Sequence, residues 1–295
     1  MTAPTPAWTA ADLHRMDGRT VVVTGATSGL GEQTATAFAA TGAHVVLAVR
    51  DTAKGERVAA GMTGSVEVRP LDLADLGSVR AFAADWTGPL NILINNAGIM
   101  AVPEGETADG FELQIGTNHL GHFALTALLL PSVTDRVVTV SSMAHRFGRI
   151  HLTDLNCEQR RYHRWAAYGQ SKLANLLFTT ELQRRFDLAG SSLRALAAHP
   201  GFAATNLASH FDGVTGALTN RVAPLVGSSA ADGALPTLFA ATQDLPGDSF
   251  VGPAGRGQST PRLESRSRAA RDREMARQLF DLSARLTSVE VLPAD

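Results

Sequence analysis

Cysteine is almost missing: Cys157 is the only one in 295 residues. That excludes an intrachain disulfide and leaves no cysteine cluster to hold a metal. A reducing compartment is the expectation, with Cys157 read as an inert loop thiol. A surplus of one charge is missing too. Lys plus Arg number 26 against 28 for Asp plus Glu, a formal net charge of −2. No global basic field is therefore available to hold nucleic acid or an anionic membrane. No apolar run reaches the ~20 residues a bilayer crossing needs, and the longest greasy stretch spans residues 123–130. Residues 1–20 carry Asp12, Asp17 and two prolines without an apolar core, and read as neither signal peptide nor anchor. Internal repeats, low-complexity tracts and convincing linkers are missing as well. The one basic concentration, residues 262–277, interleaves six arginines with three acids and has no aromatic among them. It reads as a solvated helix face near the C-terminus. These absences predict a soluble, cytoplasmic chain with no nucleic-acid and no membrane partner. Its 44% hydrophobic content can build a sizeable core.

What is present is alternation. Short, nearly continuous apolar runs at residues 20–24, 44–49, 66–70, 92–94, 137–140 and 193–198 are separated by Ala- and Leu-rich helical patterns. Strands of that kind, spaced by helices, belong to a parallel sheet buried on both faces. The fold class predicted is α/β, a doubly wound Rossmann-type parallel sheet with helices on both faces in one domain. An extension of 18 residues precedes it, and substrate-facing elaborations are expected after Thr205.

The run Thr24-Gly25-Ala26-Thr27-Ser28-Gly29-Leu30-Gly31 stands where the first strand turns into the first helix. Glycines allow a tight turn and close approach to a pyrophosphate, while the helix start supplies amide donors. Gly25, Thr27, Ser28, Gly29, Leu30 and Gly31 are thus candidate dinucleotide contacts. The second strand ends in Val49 followed by Arg50, where an NAD enzyme would place an acid on the ribose 2′-hydroxyl. An arginine there suits a 2′-phosphate, so NADP is expected ahead of NAD, although Asp51 follows directly. Asp72, with Leu73 beside it, is placed to close the adenine edge or else to cap a helix. Asn95-Asn96-Ala97-Gly98 follows the fourth strand and suits packing against a bound adenosine, or a turn.

The fifth strand runs into Ser141-Ser142, at the edge where open α/β sheets place ligands. Tyr168 and Lys172 stand four apart on a helical pattern, one above the other. An ammonium near a phenol favours the phenolate and so lowers its pKa, the requirement for a general acid/base at neutral pH. His199-Pro200-Gly201 ends the sixth strand and Thr205 follows. Asn118 sits inside a helical pattern spanning about residues 107–130, where asparagine has poor propensity.

Taken together, Gly25…Gly29-Leu30-Gly31, Asn95-Asn96-Ala97-Gly98, Asn118, Ser142, Tyr168 with Lys172, and Pro200-Gly201…Thr205 resemble the short-chain dehydrogenase/reductase family over about residues 19–207. The run Asn118-His119-Leu120-Gly121-His122-Phe123, the run Ser171-Lys172-Leu173-Ala174-Asn175 and residues 276–289 are similar to its retinol-dehydrogenase and protochlorophyllide-reductase-like branch. The resemblance implies hydride transfer between a nicotinamide cofactor and a carbonyl or alcohol. It implies Tyr168 as general acid/base and Lys172 as the residue that lowers the tyrosine pKa and holds the nicotinamide ribose. Ser142, rather than Ser141, would polarise the carbonyl. Asn118 would bend its helix and offer its carbonyl to a relay water, and Thr205 would meet the carboxamide. Asn96, Ala97, Gly98, Pro200 and Gly201 complete the implied cofactor contacts. Relatives assemble as homodimers or homotetramers through the helices holding Asn118 and Tyr168. The insertion before Tyr168 could obstruct that packing, which leaves a monomer open.

Other residues invite other readings. His119 and His122 have a metal-compatible spacing, but no acid or cysteine completes a site, so they are read as core histidines and no metal is expected. His145, His151 and His163 read as solvated loop residues, one of which could face the substrate. Tyr162 and Trp165 either line the pocket or pin the loop. Phe202, Leu207, Phe211 and Val214 suggest an apolar lining and a lipophilic substrate. Two rival functions stand beside the dehydrogenase: a non-catalytic nicotinamide sensor, and a reductase of a carbon–carbon double bond.

Overall fold

β-Branched residues dominate β1 (Thr20–Thr24), β2 (His44–Val49) and β5 (Val133–Val140), and both faces of these strands are covered. With β3 (Ser65–Pro70), β4 (Leu90–Asn95) and β6 (Arg194–Ala198) they form a parallel sheet. In the computed structural model, which describes residues 8–201, 229–255 and 258–291, the strand order is β3-β2-β1-β4-β5-β6-β7-β8. β7 (Phe250–Gly255) continues the parallel sheet and β8 (Gln258–Leu263) closes it antiparallel. The six expected strands are all there, β5 starting four residues earlier than its apolar run suggests. β7 and β8 were hidden by Pro253 and Pro261, which stand opposite each other across the pair at the sheet edge, where proline is tolerated.

Side chains alternate along each strand and sort the core into two layers. Val22, Val46, Leu93 and Val137 pack with α3 (Leu76–Ala84), α5 (Gly121–Leu129) and α6 (Arg164–Leu188). Val21, Val23, Val45, Leu47, Ile92 and Ile94 pack with α1 (Gly29–Ala40) and α7 (Ala230–Thr242). α2 (Thr52–Ala59) leans on β2 and β3 through Gly55. α8 (Arg273–Thr287) buries Ala276, Leu279, Phe280, Ser283 and Thr287, one helical face, against α5 and α6. The chain after Thr205 thus gives most of its described residues to the sheet and its covers rather than to a substrate-facing lobe. The 262–277 segment is likewise not one solvated helix. Arg262 lies in β8, and buried Arg266 binds Asp248 at 2.5 Å.

The helical pattern expected from residue 107 starts only at α4 (Leu113–Ile115). Glu112 caps it by accepting from the amides of Gln114 and Ile115, both at 2.8 Å. A π-helical turn follows over Gly116–Leu120, in which the Gly121 amide reaches back to the Gly116 carbonyl, before α5 resumes. Such turns are rare and collect at functional sites. Asn118 is at its centre.

Candidate active site

Register brings the site to one edge of the sheet. Val23 pairs with Ile94, Asn95 with Thr139, and Val140 with Ala198, so β1, β4, β5 and β6 end side by side. The order reverses between β1 and β4, the switch point where open α/β sheets bind ligands.

At that point the glycine loop is fastened from below. Thr24 closes β1, and its Oγ1 accepts the amides of Asn96 and Ala97, each at 2.9 Å. Asn96 returns its Nδ2 to the Thr24 carbonyl at 2.8 Å. A Cβ on Gly25, whose φ is +67°, would stand 2.8 Å from the Ala97 Cβ. One on Gly31 would stand 2.5 Å from Asn96 Nδ2. Both amides of the Asn95-Asn96 pair are engaged within the protein. Asn95 donates to Thr126 Oγ1 inside the core at 2.9 Å, and Asn96 holds the loop. Asp72 is not a helix cap either: it accepts the Ala74 amide at 2.9 Å, and Asp75 caps α3. Leu73 is buried under α5, with its carbonyl against Gly121.

The start of α1 differs from that of most of the other helices. α2, α3, α6, α7 and α8 each begin with a side-chain cap, from Asp51, Asp75, His163, Ser229 and Asp272 respectively. Ser28 makes no such bond at the start of α1. The first-turn amides around Gly29, Leu30 and Gly31 are left for a bound group, and a phosphate suits their partial positive charge. Thr27 lies in the same turn. Arg50 stands exposed just past β2, while the Asp51 carboxylate is taken up by the Lys54 amide at 2.8 Å. The donors at this edge fit a nicotinamide dinucleotide.

Across the cleft, the two adjacent serines divide their duties. Ser141 is buried and donates to the Lys172 backbone carbonyl at 2.8 Å. Ser142 is partly exposed, and its hydroxyl accepts the Ala144 amide at 3.2 Å. Lys172 is buried, with Nζ 3.1 Å from the Val140 carbonyl and 5.8 Å from the Tyr168 ring centre. Burial draws its pKa down to about 8. Burial also pushes Tyr168 above its ordinary value, with the Ser142 hydroxyl opposing it. The expected lowering of the tyrosine by Lys172 is corrected here: loss of solvent around the ring dominates. Asn118 joins the group. Its Oδ1 accepts the Ile99 amide at 2.8 Å, and its Nδ2 donates to Ser171 Oγ at 2.9 Å and to the Ile99 carbonyl at 2.9 Å. Gly98 faces both Asn118 Oδ1 and Lys172 Nζ. Pro200 and Gly201 follow β6, the Gly201 amide donating to His199 Nδ1 at 3.1 Å. Thr205, Phe202, Leu207, Phe211 and Val214 lie outside the described residues.

A model of the short chain dehydrogenase family matches residues 19–213. The chain belongs to that family. Retinol dehydrogenase 13 of Homo sapiens is 43% identical over 291 residues, covering 92% of this chain and 86% of that protein. The likeness places the chain in the retinol-dehydrogenase-like branch. A crystal structure of an uncharacterized Mycobacterium paratuberculosis protein is 59% identical, with a TM-score of 0.87 over 98% of this chain and 100% of that one. A candidate NAD(P)-dependent gluconate 5-dehydrogenase from Beutenbergia cavernae, crystallised with NADP, is 26% identical with a TM-score of 0.58, covering 77% and 91%. As a short-chain dehydrogenase/reductase the chain is a nicotinamide-dependent oxidoreductase of small molecules.

Several side chains behave differently from their sequence reading. His145 is not solvated. It is fully buried, with Nδ1 2.7 Å from the Ser142 carbonyl and Nε2 accepting the Ser267 amide at 3.3 Å. Its place three residues after Ser142 was the available signal. His151 and His163 are exposed, and His163 caps α6. Tyr162 pins the loop: it donates to the Val102 carbonyl at 3.1 Å and accepts from Gln114 Nε2 at 2.8 Å. Trp165 stays edge-on to Tyr168, 6.3 Å between centres. Buried His119 meets Ser283 of α8 at 2.8 Å. Cys157 is buried, and burial pushes its thiol up.

Proposed function

We propose that the chain interconverts a lipophilic carbonyl compound and its alcohol, with NADP(H) preferred over NAD(H) and Tyr168 as general acid/base. The observation that carries this reading is the buried Lys172 ammonium, 5.8 Å from the centre of the buried Tyr168 ring, at the same sheet edge as the uncapped start of α1. The nicotinamide supplies or takes the hydride. In reduction, Tyr168 gives its phenolic proton to the substrate oxygen while Ser142 donates a second hydrogen bond to that oxygen. Burial keeps the phenol protonated at neutral pH, the form reduction needs. Lys172 returns a proton toward the phenolate and binds the nicotinamide ribose hydroxyls. The Asn118 carbonyl, in the π-turn, holds the water that resupplies Lys172.

Arg50 reads the 2′-phosphate, with Asp51 already spent on its cap. The glycine-loop amides hold the pyrophosphate, Asp72 and Leu73 close the adenine edge, and Thr205 meets the carboxamide. The relatives' name adds retinaldehyde to the substrates worth testing. The packing of α8 against α5 and α6 supports a monomer over a homodimer or homotetramer.

The deciding experiment follows oxidation of NADPH and of NADH with a panel of aliphatic aldehydes, ketones and retinaldehyde. The expected result is turnover of a lipophilic aldehyde, faster with NADPH. Faster turnover with NADH contradicts the role of Arg50. NADPH binding without turnover of any compound points to the sensor function instead.

A further inference from the structure

Between the glycine loop and the π-turn lies a buried histidine that the chemistry above does not use. His122 stands on α5, one turn beyond Asn118, and is 1% exposed. Its Nδ1 is 3.0 Å from the Asn118 backbone carbonyl and its Nε2 is 2.9 Å from Thr24 Oγ1. A carbonyl only accepts, so Nδ1 carries the hydrogen. A neutral imidazole has only one, which leaves Nε2 bare and makes the Thr24 hydroxyl its donor. The ring is neutral because burial, with Lys172 adding to it, draws its pKa down to about 4. The Ile94 carbonyl, 3.3 Å from Thr24 Oγ1, is the longer alternative for that hydroxyl.

The directions therefore run one way. The amides of Asn96 and Ala97 donate to Thr24 Oγ1, its hydroxyl donates to His122, and His122 donates to the Asn118 carbonyl. The first three residues fasten the loop expected to carry the cofactor, and the last belongs to the turn beside Lys172. A π-turn aims its carbonyls off the ordinary helical ladder, so a side chain that fixes one of them has work to do.

We propose that His122 is a positioning residue, held as the Nδ1–H tautomer, that ties the Asn118 carbonyl to Thr24 and so fixes the catalytic turn against the cofactor loop. The proposal rests on the assignment of Tyr168 and Asn118 for its effect on turnover, but not for its effect on cofactor binding. Neither the family spacing of His119 and His122 nor a metal enters it.

Two readouts test it. Nitrogen-15 histidine NMR of the apoprotein should show one ring, lost in His122→Leu, with its proton on Nδ1 and no titration from pH 8 down to 5. A proton on Nε2, or a ring that titrates near 6.5, overturns the proposal. His122→Leu should raise the NADPH dissociation constant and lower kcat, each by roughly ten- to a hundredfold, the scale of a buried hydrogen bond left unmade. His122→Asn, which keeps a donor toward the Asn118 carbonyl but cannot reach Thr24, should recover kcat more than cofactor affinity. Folded variants within twofold of wild type in both quantities overturn the proposal. NADPH binding is measured again in Tyr168→Phe protein. Weaker NADPH binding in His122→Leu, with turnover unaffected by Tyr168→Phe, would sink the tyrosine assignment while leaving the His122 tie intact.

Discussion

The ammonium of Lys172 lies 5.8 Å from the centre of the Tyr168 ring and is bound to the Val140 carbonyl at 3.1 Å. Both groups are out of water, and burial moves their pKa values in opposite directions, the lysine down to about 8 and the tyrosine up. Each shift opposes the charged form.

That pairing makes a pH signature. Between about pH 8 and the ordinary lysine value of 10.5, the unfolded chain binds a proton at position 172 that the folded chain has lost. Stability from this group rises with pH across that window, by an amount on the order of 3 kcal/mol for the full shift. Tyr168 has the opposite sign, since its folded pKa is raised, and costs stability as pH climbs past 10. Urea unfolding of wild type and Lys172→Met at pH 7, 8 and 9 isolates the lysine. The variant should be the more stable at pH 7, with the gap narrowing by pH 9. A gap that does not change with pH would falsify the buried-ammonium account.

The adjacent serines should separate cleanly. Ser142→Ala removes the hydroxyl beside Tyr168 and should cost kcat about a hundredfold or more, as loss of an oxyanion donor does. Ser141→Ala leaves the Lys172 carbonyl short of a donor deep in the core, and should cost about 1–3 kcal/mol of stability. Steady-state rates and urea midpoints on the two proteins check both. A Ser141 variant that loses more kcat than the Ser142 variant contradicts the assignment.

How much of this was legible follows from where each signal lives. Continuous apolar runs made β1, β2, β4 and β5 readable, because a doubly covered strand needs them. Asn118 stood out through its poor helix propensity, whereas Ser142, Tyr168 and Lys172 stood out only together, in the order of a known family. β7 and β8 were not readable, since their prolines contradict strand propensity and only the sheet edge tolerates them. The bond from Asn96 to the Thr24 carbonyl was not readable, because a side-chain amide carries no sign of whether its partner is ligand or backbone. His145 and His122 were underread for a related reason: their partners, Ser267 and Thr24, are 122 and 98 residues away. The tyrosine pKa needed the burial of the ring, which spacing along a helix cannot supply.

Arg50 should sort the cofactors. An exposed guanidinium on a 2′-phosphate makes charge-assisted hydrogen bonds that NADH cannot receive. Arg50→Ala should raise the KM for NADPH roughly tenfold or more while leaving that for NADH within about twofold, because only a contact of about 1.5–3 kcal/mol is lost. Raising ionic strength should weaken NADPH binding to wild type more than to the variant. Equal changes for both cofactors would show that Arg50 serves the loop rather than the phosphate.

The cover that α8 makes over α5 and α6 is concentrated in Phe280. Its ring stands edge-on to Phe123 at 4.8 Å, stacks on Phe178 at 6.0 Å, and carries the Arg185 guanidinium 4.1 Å from its centre. Arg185 in turn binds Glu181 and Asp281. Phe280→Ala leaves a cavity under that guanidinium and should cost about 3–5 kcal/mol. The loss also frees α8 to lift, exposing Phe123 and Phe178 on α5 and α6. Light scattering should find wild type at the mass of one chain, and the variant shifted toward larger species as it is concentrated. A wild-type dimer would overturn the monomer reading.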